Sequence, residues 1–599
     1  MEASPQPKLG LALSGGGFRA AFFHLGVLAR LAELGLLRQI EVISTVSGGS
    51  IVGAAYYLRL KRLLESRPGS EITDEMYGAL VADVAARLRF MVRKNIRGRI
   101  FLNPFKNLAM GSRRYSRSDR IGDLYDIYLY NPAWEGERPR TRWGAKTQIE
   151  LRELLIQPPD APAGFKPDEQ NDLLSAKVPI LLINATSLNS GHHWRFEAVR
   201  MGEPLPDDPQ LRRVVEDADK NIRLEQGYFE PREGKPLVTE TQRDFPLALA
   251  VAASACVPGL FHPLAISELY DGITVQLVDG GVQDNQGVQG LFDENCTHVV
   301  ISDASLQLPD EEKPSGRVPA VMTRSMSIQS DRIRDEQLIH VASRRRQFAL
   351  MHLRKGLTGK VLAPGEPLAE AISEREGLAH CSQFGVDPQA QKALGRLRTD
   401  LDFFNDTEAF SLAADGYLMS GHELRMKGFE ELATKPAPEI DPDRWWFGAV
   451  AELLEHPTRH FLGVLRAGRR SFFRLAAYAL GISPLVKAAA ALVLAALVAL
   501  AVVNREELFG WLGDDQPVWT AVAAFAVPAV IIGAYMATGT RGLARIPIDL
   551  LVGGVIPVLL APLLFIWAAA LVAIRPLSML VGRVPESSGA DPAQTSPSK

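Results

Sequence analysis

Two short segments near the start of the chain combine residue types that can carry out nucleophilic chemistry. Gly15–Gly17 precede a predicted helix with Arg19 in its first turn, and Ser47 is followed directly by two glycines. A serine in a tight strand-to-helix turn has an exposed hydroxyl near the positive end of a helix. Consecutive glycines at a helix start leave backbone N–H groups unpaired, and such donors suit the oxyanion formed when a serine attacks an ester carbonyl. The two segments together predict a site for acyl transfer.

The apolar pattern around these segments predicts the elements that position them. Parallel neighbouring strands in a βαβα unit would place the two turns side by side. A cation in the first turn of a helix is disfavoured by the helix dipole, so we expect Arg19 to face solvent, to have a local partner or to serve the site. The predicted elements are a strand at Leu9–Ser14, a helix at Ala20–Leu37, a strand at Ile40–Ser44 and a helix at Ile51–Leu60.

Further elements continue the α/β pattern towards the middle of the chain. A small-residue helix with a proline turn at Pro258 lies within Ala250–Phe261, and Asp279 with two following glycines ends a strand-like run. Polar residues of the next loop, Asp284, Asn285 and Gln286, are expected to form hydrogen bonds around the site. The other predictions are strands at Val178–Thr186, Asp271–Val278 and Thr297–Ser302, helices at Phe245–Val257 and Ser325–Phe348, and two helical segments within Leu397–Met419.

Four of these segments, in this order, resemble the patatin-like phospholipase family. They are Gly15-Gly16-Gly17-Phe18-Arg19, Val46-Ser47-Gly48-Gly49-Ser50, the small-residue helix with its proline turn, and Leu277-Val278-Asp279-Gly280-Gly281. A later segment, Arg398–Phe404, is similar to a helical motif of bacterial members of that family. One position departs from the family pattern, because Thr45 stands where a glycine usually precedes the serine by two residues.

The resemblance implies a fold and a chemistry. The fold would be a three-layer α/β sandwich with a mainly parallel central sheet. Ser47 would be the nucleophile and Asp279 the base of a dyad without histidine, cleaving fatty-acyl esters of phospholipid or lysophospholipid without metal or cofactor. Because a carboxylate is a weak base, burial would have to raise the pKa of Asp279. The oxyanion hole that the resemblance implies consists of Gly15, Gly16 and Gly17, supported by Arg19.

Each feature also has a plainer interpretation. Ser47 fits a helix N-cap, Asp279 an Asx-turn, and the glycines a tight turn. A conventional catalytic triad would use His262 instead. Gly15–Ala20 also fits a dinucleotide fingerprint, but that fingerprint requires an acidic residue near the end of the second strand. The remaining alternative is a membrane-anchored lipid-binding or scaffolding protein with a degenerate site.

Length and charge limit the class of protein. A chain of 599 residues predicts more than one structural region, and a net charge of −3 gives no general field that would attract nucleic acid. Cys256, Cys296 and Cys381 lack the spacing of a metal site, which fits a reducing compartment without disulfides. The N-terminal residues do not follow the pattern of a secretory signal.

Residues 1–445 are predicted to form the catalytic region, with residues 61–177 as an insertion or lid. Within that insertion, Arg87–Arg117 contains 10 lysines and arginines and no acidic residue. This stretch is interpreted as a solvated basic surface with its own small core or as a surface for anionic lipid headgroups. Nothing else in the chain supports nucleic-acid binding by it.

The C-terminal quarter is far more apolar than the rest. Residues 446–484 predict a basic amphipathic linker, and three apolar runs at about 485–503, 518–538 and 550–574 are each near the length that spans a bilayer. The alternative is a set of buried core helices. Arginines at the start of the first run predict a multi-pass membrane protein whose catalytic region faces the cytoplasm. Residues 576–599 predict a disordered tail.

Overall fold

The computed structural model describes residues 7–101, 116–134, 147–206, 209–308, 311–343, 347–357, 364, 384–433, 436 and 438–470. The three predicted membrane runs, the tail, the end of the linker and residues 102–115 of the basic stretch lie outside the described residues. Among the described residues, no helix is both long enough and apolar enough to cross a membrane.

The described strands form one twisted sheet with a parallel centre. Five strands run parallel in the order β10-β9-β1-β2-β3, and β4, β5 and β6 continue the sheet in antiparallel pairing. β8 pairs antiparallel with both β3 and β7. The strands are β1 Leu9–Leu13, β2 Ile40–Val46, β3 Ile180–Ser187, β4 His193–Phe196, β5 Arg200–Gly202, β6 Gly227–Tyr228, β7 Leu264–Tyr270, β8 Ile273–Asp279, β9 His298–Asp303 and β10 Gln347–His352.

Helices cover both faces of this sheet, with short 3₁₀ turns between several of them. The α-helices of the described residues are α1 Gly17–Glu33, α2 Gly48–Ser66, α3 Asp74–Val92, α4 Ile96–Phe101, α5 Arg117–Tyr125, α6 Asn131–Trp134, α7 Pro167–Gln170, α8 Pro209–Ala218, α9 Leu247–Ser254, α10 Val288–Asp293, α11 Val318–Ser343, α12 Pro388–Leu394, α13 Asp406–Met426, α14 Ala451–Glu455 and α15 Arg459–Ala467.

Alternate residues of the central strands face two separate cores. Leu11 and Ile43 belong to the large core that includes α1, α2 and α13, whereas Ala12 and Val42 belong to the smaller core under α10 and the end of α11. Side chains of successive strand residues point to opposite faces of a sheet. The continuous apolar runs of these strands therefore reflect burial on both sides, as expected for a three-layer arrangement.

Most predicted elements agree with the structure, including both βα turns of the first unit. The prediction for Ser325–Phe348 was wrong at both ends, because the helix begins at Val318 and Phe348 belongs to β10, which pairs with β9 at the sheet edge. The two helical segments predicted within Leu397–Met419 are also wrong. Residues 397–405 are irregular, and a capping box at Asn405 starts a single long helix.

The described part of the basic stretch is largely neutralised by distant acidic residues. Arg93 forms an ion pair with Asp406, and Arg97 pairs with Asp400 and Asp402. The absence of acidic residues within the stretch therefore does not leave these arginines uncompensated. For residues 87–101 the structure favours a basic surface, but the predicted small core of its own is wrong, because Met91, Ile96 and Ile100 pack in the large core.

β3 positions the site because two strands meet end to end along one of its edges. β2 pairs with β3 as far as Val46, which lies opposite Asn184, and β8 ends with Asp279 opposite Ala185. The other edge of β3 is occupied by β4. β2 runs towards this junction and β8 runs towards it from the opposite direction, so Ser47 and Asp279 are brought together.

Asp415 on α13 should make the stability of the fold depend on pH. Burial raises the pKa of Asp415 from an ordinary value of 3.8 to about 7, and Gln391 donates a 3.0 Å hydrogen bond to it. In the unfolded chain this carboxyl ionises first as pH rises, so the wild type loses stability between about pH 4 and pH 7. We expect the stability of Asp415→Asn relative to wild type to rise over that interval in unfolding experiments. Asp168→Asn, which changes an exposed carboxylate, should show no such rise, and a pH-independent difference for Asp415→Asn would contradict the prediction.

Candidate active site

Ser47 occupies the turn between β2 and α2 in a strained conformation. Its φ of 50° and ψ of −113° lie where non-glycine residues are rare, and its side chain is almost fully buried. The Ser47 N–H donates a 2.9 Å hydrogen bond to the Ser254 hydroxyl on α9. The small-residue helix predicted from the sequence thus contacts the backbone of this turn directly.

A chain of hydroxyl groups continues from Ser254 under the turn. Ser254 and Ser50 are 2.8 Å apart, Ser50 donates to Thr45 at 3.0 Å, and Thr45 donates to the Leu182 carbonyl at 2.9 Å. Because Thr45 and Ser50 both donate onward, Ser254 must donate to Ser50. All four donors therefore point the same way, from the Ser47 N–H to a carbonyl of β3.

The departure at Thr45 is accommodated by a glycine one turn into α2. A Cβ on Gly53 would lie 2.6 Å from the Thr45 methyl group. The absence of a side chain at Gly53 therefore leaves room for the Thr45 methyl group, which a glycine at position 45 would not need. The threonine fills that space, and its hydroxyl joins the chain beneath Ser47.

Asp279 is buried at the end of β8. Its carboxylate accepts a 2.8 Å hydrogen bond from the Gly281 N–H. Burial raises the pKa of Asp279 from 3.8 to about 6, although the Gly281 N–H and the nearby Ser47 side chain favour the ionised form. The structure therefore brings together the two predicted residues, with the raised pKa that a carboxylate base requires.

The glycine loop packs against the Ser47 turn, but its three N–H groups differ in availability. The Gly15 N–H donates to the Asn285 carbonyl at 2.9 Å. Gly16 and Gly17 have φ values of 140° and 59°, and in the described part of the chain their N–H groups have no acceptor. A Cβ on Gly48 would lie 2.2 Å from the Gly17 carbonyl oxygen, so the two turns are in direct contact.

Arg19 is fully buried, and carbonyl groups accept its hydrogen bonds. It donates to the Ala304 carbonyl at 2.6 and 3.2 Å and to the Leu397 carbonyl at 2.8 Å. The Ala304 carbonyl lies 2.8 Å from where a Cβ on Gly16 would be. Arg19 therefore does not face solvent; its acceptors come from distant parts of the chain, and the Ala304 carbonyl lies against the glycine loop.

The sequence did not reveal that residues 397–402 contact the glycine loop. The Phe18 N–H donates to the Asp400 carbonyl at 3.1 Å, and a Cβ on Gly17 would lie 2.8 Å from the same oxygen. Arg398 holds this segment through ion pairs with Asp402 and Glu408. The only sequence signal for this contact was the similarity of Arg398–Phe404 to a motif of bacterial family members.

Asn285 places a side-chain amide at the site, as expected for its loop. Its Oδ1 lies 2.3 Å from where a Cβ on Gly15 would be and 2.5 Å from where a Cβ on Gly281 would be. The Cβ position of Gly15 lies 3.2 Å from the Ser47 Cβ, and that of Gly281 lies 3.0 Å from the Asp279 Oδ1. Asn285 thus lines the space beside both Ser47 and Asp279.

Two histidines near the site differ in their surroundings. His262 has an exposed side chain, and its carbonyl accepts a hydrogen bond from the Cys256 thiol. His24 is buried, donates to the Ser14 carbonyl and accepts from the Ser302 hydroxyl, and burial lowers its pKa to about 4. His24 is therefore neutral and fixes the end of β1, and nothing in the sequence predicted this role.

Within the described ranges, no group of three or more His, Cys, Asp or Glu side chains is placed to hold a metal ion.

The contact between Gly53 and Thr45 gives a test of the turn's packing. Gly53→Ala should destabilise the protein by about 1–3 kcal/mol, because the new methyl group overlaps the Thr45 methyl. In a Thr45→Ser background, which keeps the hydroxyl but removes the methyl, the same change should stabilise by about 0.5–1 kcal/mol through helix propensity. Denaturant unfolding of the four proteins measures this coupling, and additive effects would show that the two residues do not compete for space.

Residues 11–292 match a family model described as patatin-like phospholipase. Human GIVD cytosolic phospholipase A2 has 11% identity and a TM-score of 0.32, over 71% of this chain and 59% of that chain. VipD from Legionella pneumophila has 15% identity and a TM-score of 0.22, over 82% of this chain and 89% of that chain. The match thus spans about 59% of the human protein's length, and neither structural likeness is close enough to inform the assignment. A comparison with curated proteins gave no match. Residues 11–292, which contain Ser47, Asp279 and the glycine loop, therefore match the family model of patatin-like phospholipases.

Proposed function

We propose that this protein is a serine lipid acyl hydrolase that cleaves fatty-acyl esters of membrane phospholipid or lysophospholipid. The observation that carries the proposal is the pairing of Ser47 with a buried Asp279 whose pKa is raised to about 6. A carboxylate with that pKa is ionised at neutral pH and is a better base than an exposed aspartate. The family match of residues 11–292 supports the same reaction class.

In the proposed reaction, Asp279 takes the hydroxyl proton as the Ser47 oxygen attacks the ester carbonyl. The carbonyl π bond opens and leaves a tetrahedral oxyanion, which the N–H groups of Gly16 and Gly17 stabilise. Collapse of this intermediate breaks the bond to the alcohol, which leaves with the proton held by Asp279. A water molecule, activated by the same carboxylate, then attacks the acyl-enzyme and releases the fatty acid.

The remaining predicted site residues take supporting roles in this proposal. Gly15 gives its N–H to the Asn285 carbonyl, so it contributes by holding the loop rather than by contacting the oxyanion. Arg19 acts through the Ala304 carbonyl, which lies against Gly16. We regard Arg19 as a positioning residue of the oxyanion hole.

The proposal includes membrane anchoring. The apolar runs within residues 485–575 would span the bilayer, with the catalytic domain facing the cytoplasm and close to its lipid substrate. A membrane anchor raises the effective concentration of a lipid substrate without adding any chemistry. The similarity of Arg398–Phe404 to a motif of bacterial family members supports a bacterial-type member, and the apolar runs support an anchored one.

Reaction with a fluorophosphonate probe tests the nucleophile and its base. The wild type should be labelled, Ser47→Ala should not, and Asp279→Asn should lose most turnover of a fatty-acyl ester because the base is gone. His262→Ala is the matched control and should retain activity, since that side chain is exposed. An unlabelled wild type would instead favour a lipid-binding protein with a degenerate site, and loss of activity in His262→Ala alone would favour a conventional triad.

The pH dependence of kcat/KM provides a separate test. Because Asp279 must be ionised to accept the proton, activity should fall as pH decreases through about 6 and should level off above that value. Initial rates with a soluble ester between pH 4.5 and 8 measure the inflection, with roughly tenfold loss per unit on the acidic side. Asp415→Asn serves as the control, since it changes stability without touching the site and should keep the same inflection. A flat profile in the wild type would contradict a carboxylate base.

A further inference from the structure

The outer face of α11 changes character along its length. In residues 318–330 the exposed face is uncharged and mostly apolar, with Val318 and Met322 being 70% and 62% exposed and Ser325, Gln329 and Ser330 as its polar members. The only charged side chain in that half, Arg324, is partly buried and pairs with Glu311 at 3.0 Å. The exposed face of the second half is instead charged. Exposed apolar residues of the first half are Val318, Val321, Met322, Met326 and Ile328, and exposed charged residues of the second half are Arg332, Asp335 and Glu336.

The apolar half of α11 extends past the edge of the sheet at which the site lies. Gln307 contacts His352, the last residue of β10, and the Leu308 N–H donates to Asp331. Asp331 is therefore level with the carboxyl ends of the parallel strands, while the far end of α11 packs on the smaller core through Val341. At 1.5 Å per residue, residues 318–330 form roughly 20 Å of helix beyond Asp331, on the side away from Val341.

The described chain also ends at this edge. Gly468, just after α15, accepts a 2.7 Å hydrogen bond from Arg398, whose segment contacts the glycine loop. Residues 471–599 follow, and they contain the three apolar runs that predict membrane spans. Arg466, Arg469 and Arg470 precede these runs and complement anionic lipid headgroups. A bilayer that holds these runs would therefore face the edge from which α11 projects.

We propose that the outer face of residues 318–330 docks into the surface of the lipid bilayer beside the mouth of the site. An uncharged apolar helix face can be buried about 5–10 Å into the boundary between headgroups and acyl chains. The charged second half of α11 then remains alongside the sheet, in water. This inference deepens the proposed function, on which it rests, by naming the surface that brings the site to its lipid.

A depth-sensitive probe tests the docking without requiring turnover. The full chain with Cys381→Ser is reconstituted into vesicles of phosphatidylcholine and phosphatidylglycerol, and an NBD fluorophore is attached at Met322→Cys. Cys256 and Cys296 are buried and should not react. Ile339→Cys is the matched control, because Ile339 is 58% exposed on the same helix but lies in its charged half. We expect lipid with a nitroxide on its acyl chain to quench most of the fluorescence at position 322 and little at position 339.

Each other outcome overturns the docking. Solvent-like emission at both positions would show that the face stays in water. Blue-shifted emission at position 322 without quenching by lipid would show that protein covers it, either the C-terminal segment of the same chain or a second copy. Ser47→Ala should dock like the wild type, because the helix face is unchanged. A wild type that docks but hydrolyses no ester would disprove the proposed function and leave the docking intact.

An activity comparison completes the test. Met322→Glu should lower the hydrolysis of bilayer lipid about tenfold, the change that about 1.4 kcal/mol of lost docking produces. Hydrolysis of a soluble short-chain ester should be unchanged, because the site itself is intact. Ile339→Glu should leave both rates unchanged. Equal losses with both substrates would mean that Met322 supports the fold rather than docking.

Discussion

The site depends on the sharing of one edge of β3 between two strands that approach from opposite directions. Val46 and Asp279 lie opposite the consecutive residues Asn184 and Ala185, so the ends of β2 and β8 abut. Side chains alternate between the faces of a sheet, and a shift of one residue in β8 would turn the carboxylate away from Ser47. The backbone pairing of β3 therefore sets the geometry of two side chains that are far apart in the sequence.

The same junction accounts for the electrostatics and the strain of the site. Because Asp279 is enclosed where two strand ends meet, desolvation dominates its pKa and outweighs the hydrogen bonds that favour ionisation. Ser47 retains a backbone conformation that costs on the order of 1–3 kcal/mol. The four hydrogen bonds that run from its N–H to the Leu182 carbonyl contribute roughly 1 kcal/mol each, enough to offset that strain.

Local signals in the sequence predicted the elements and both turns, because strand periodicity and glycine positions are properties of neighbouring residues. They did not predict which loop N–H groups are available, since the Gly15 N–H is taken by a carbonyl far along the chain. Arg19 is similar, because its acceptors at Ala304 and Leu397 come from distant loops. The segment before Asn405 was predicted to be helical, yet the hydrogen bonds from Arg398 to the Gly468 carbonyl and from the Phe18 N–H to the Asp400 carbonyl hold it in an irregular path.

The arrangement around the glycine loop connects the site with the end of the described chain. The loop is held on one side by the Asn285 carbonyl and on the other by the Asp400 carbonyl. Arg398 links the second of these supports to the Gly468 carbonyl, immediately before the linker that leads to the predicted membrane spans. Buried ion pairs are costly to break once one partner is removed, so Arg398, Asp402 and Glu408 make this link stiff. A displacement of the chain at Gly468 would therefore be transmitted through Arg398 to the backbone that packs against Gly17.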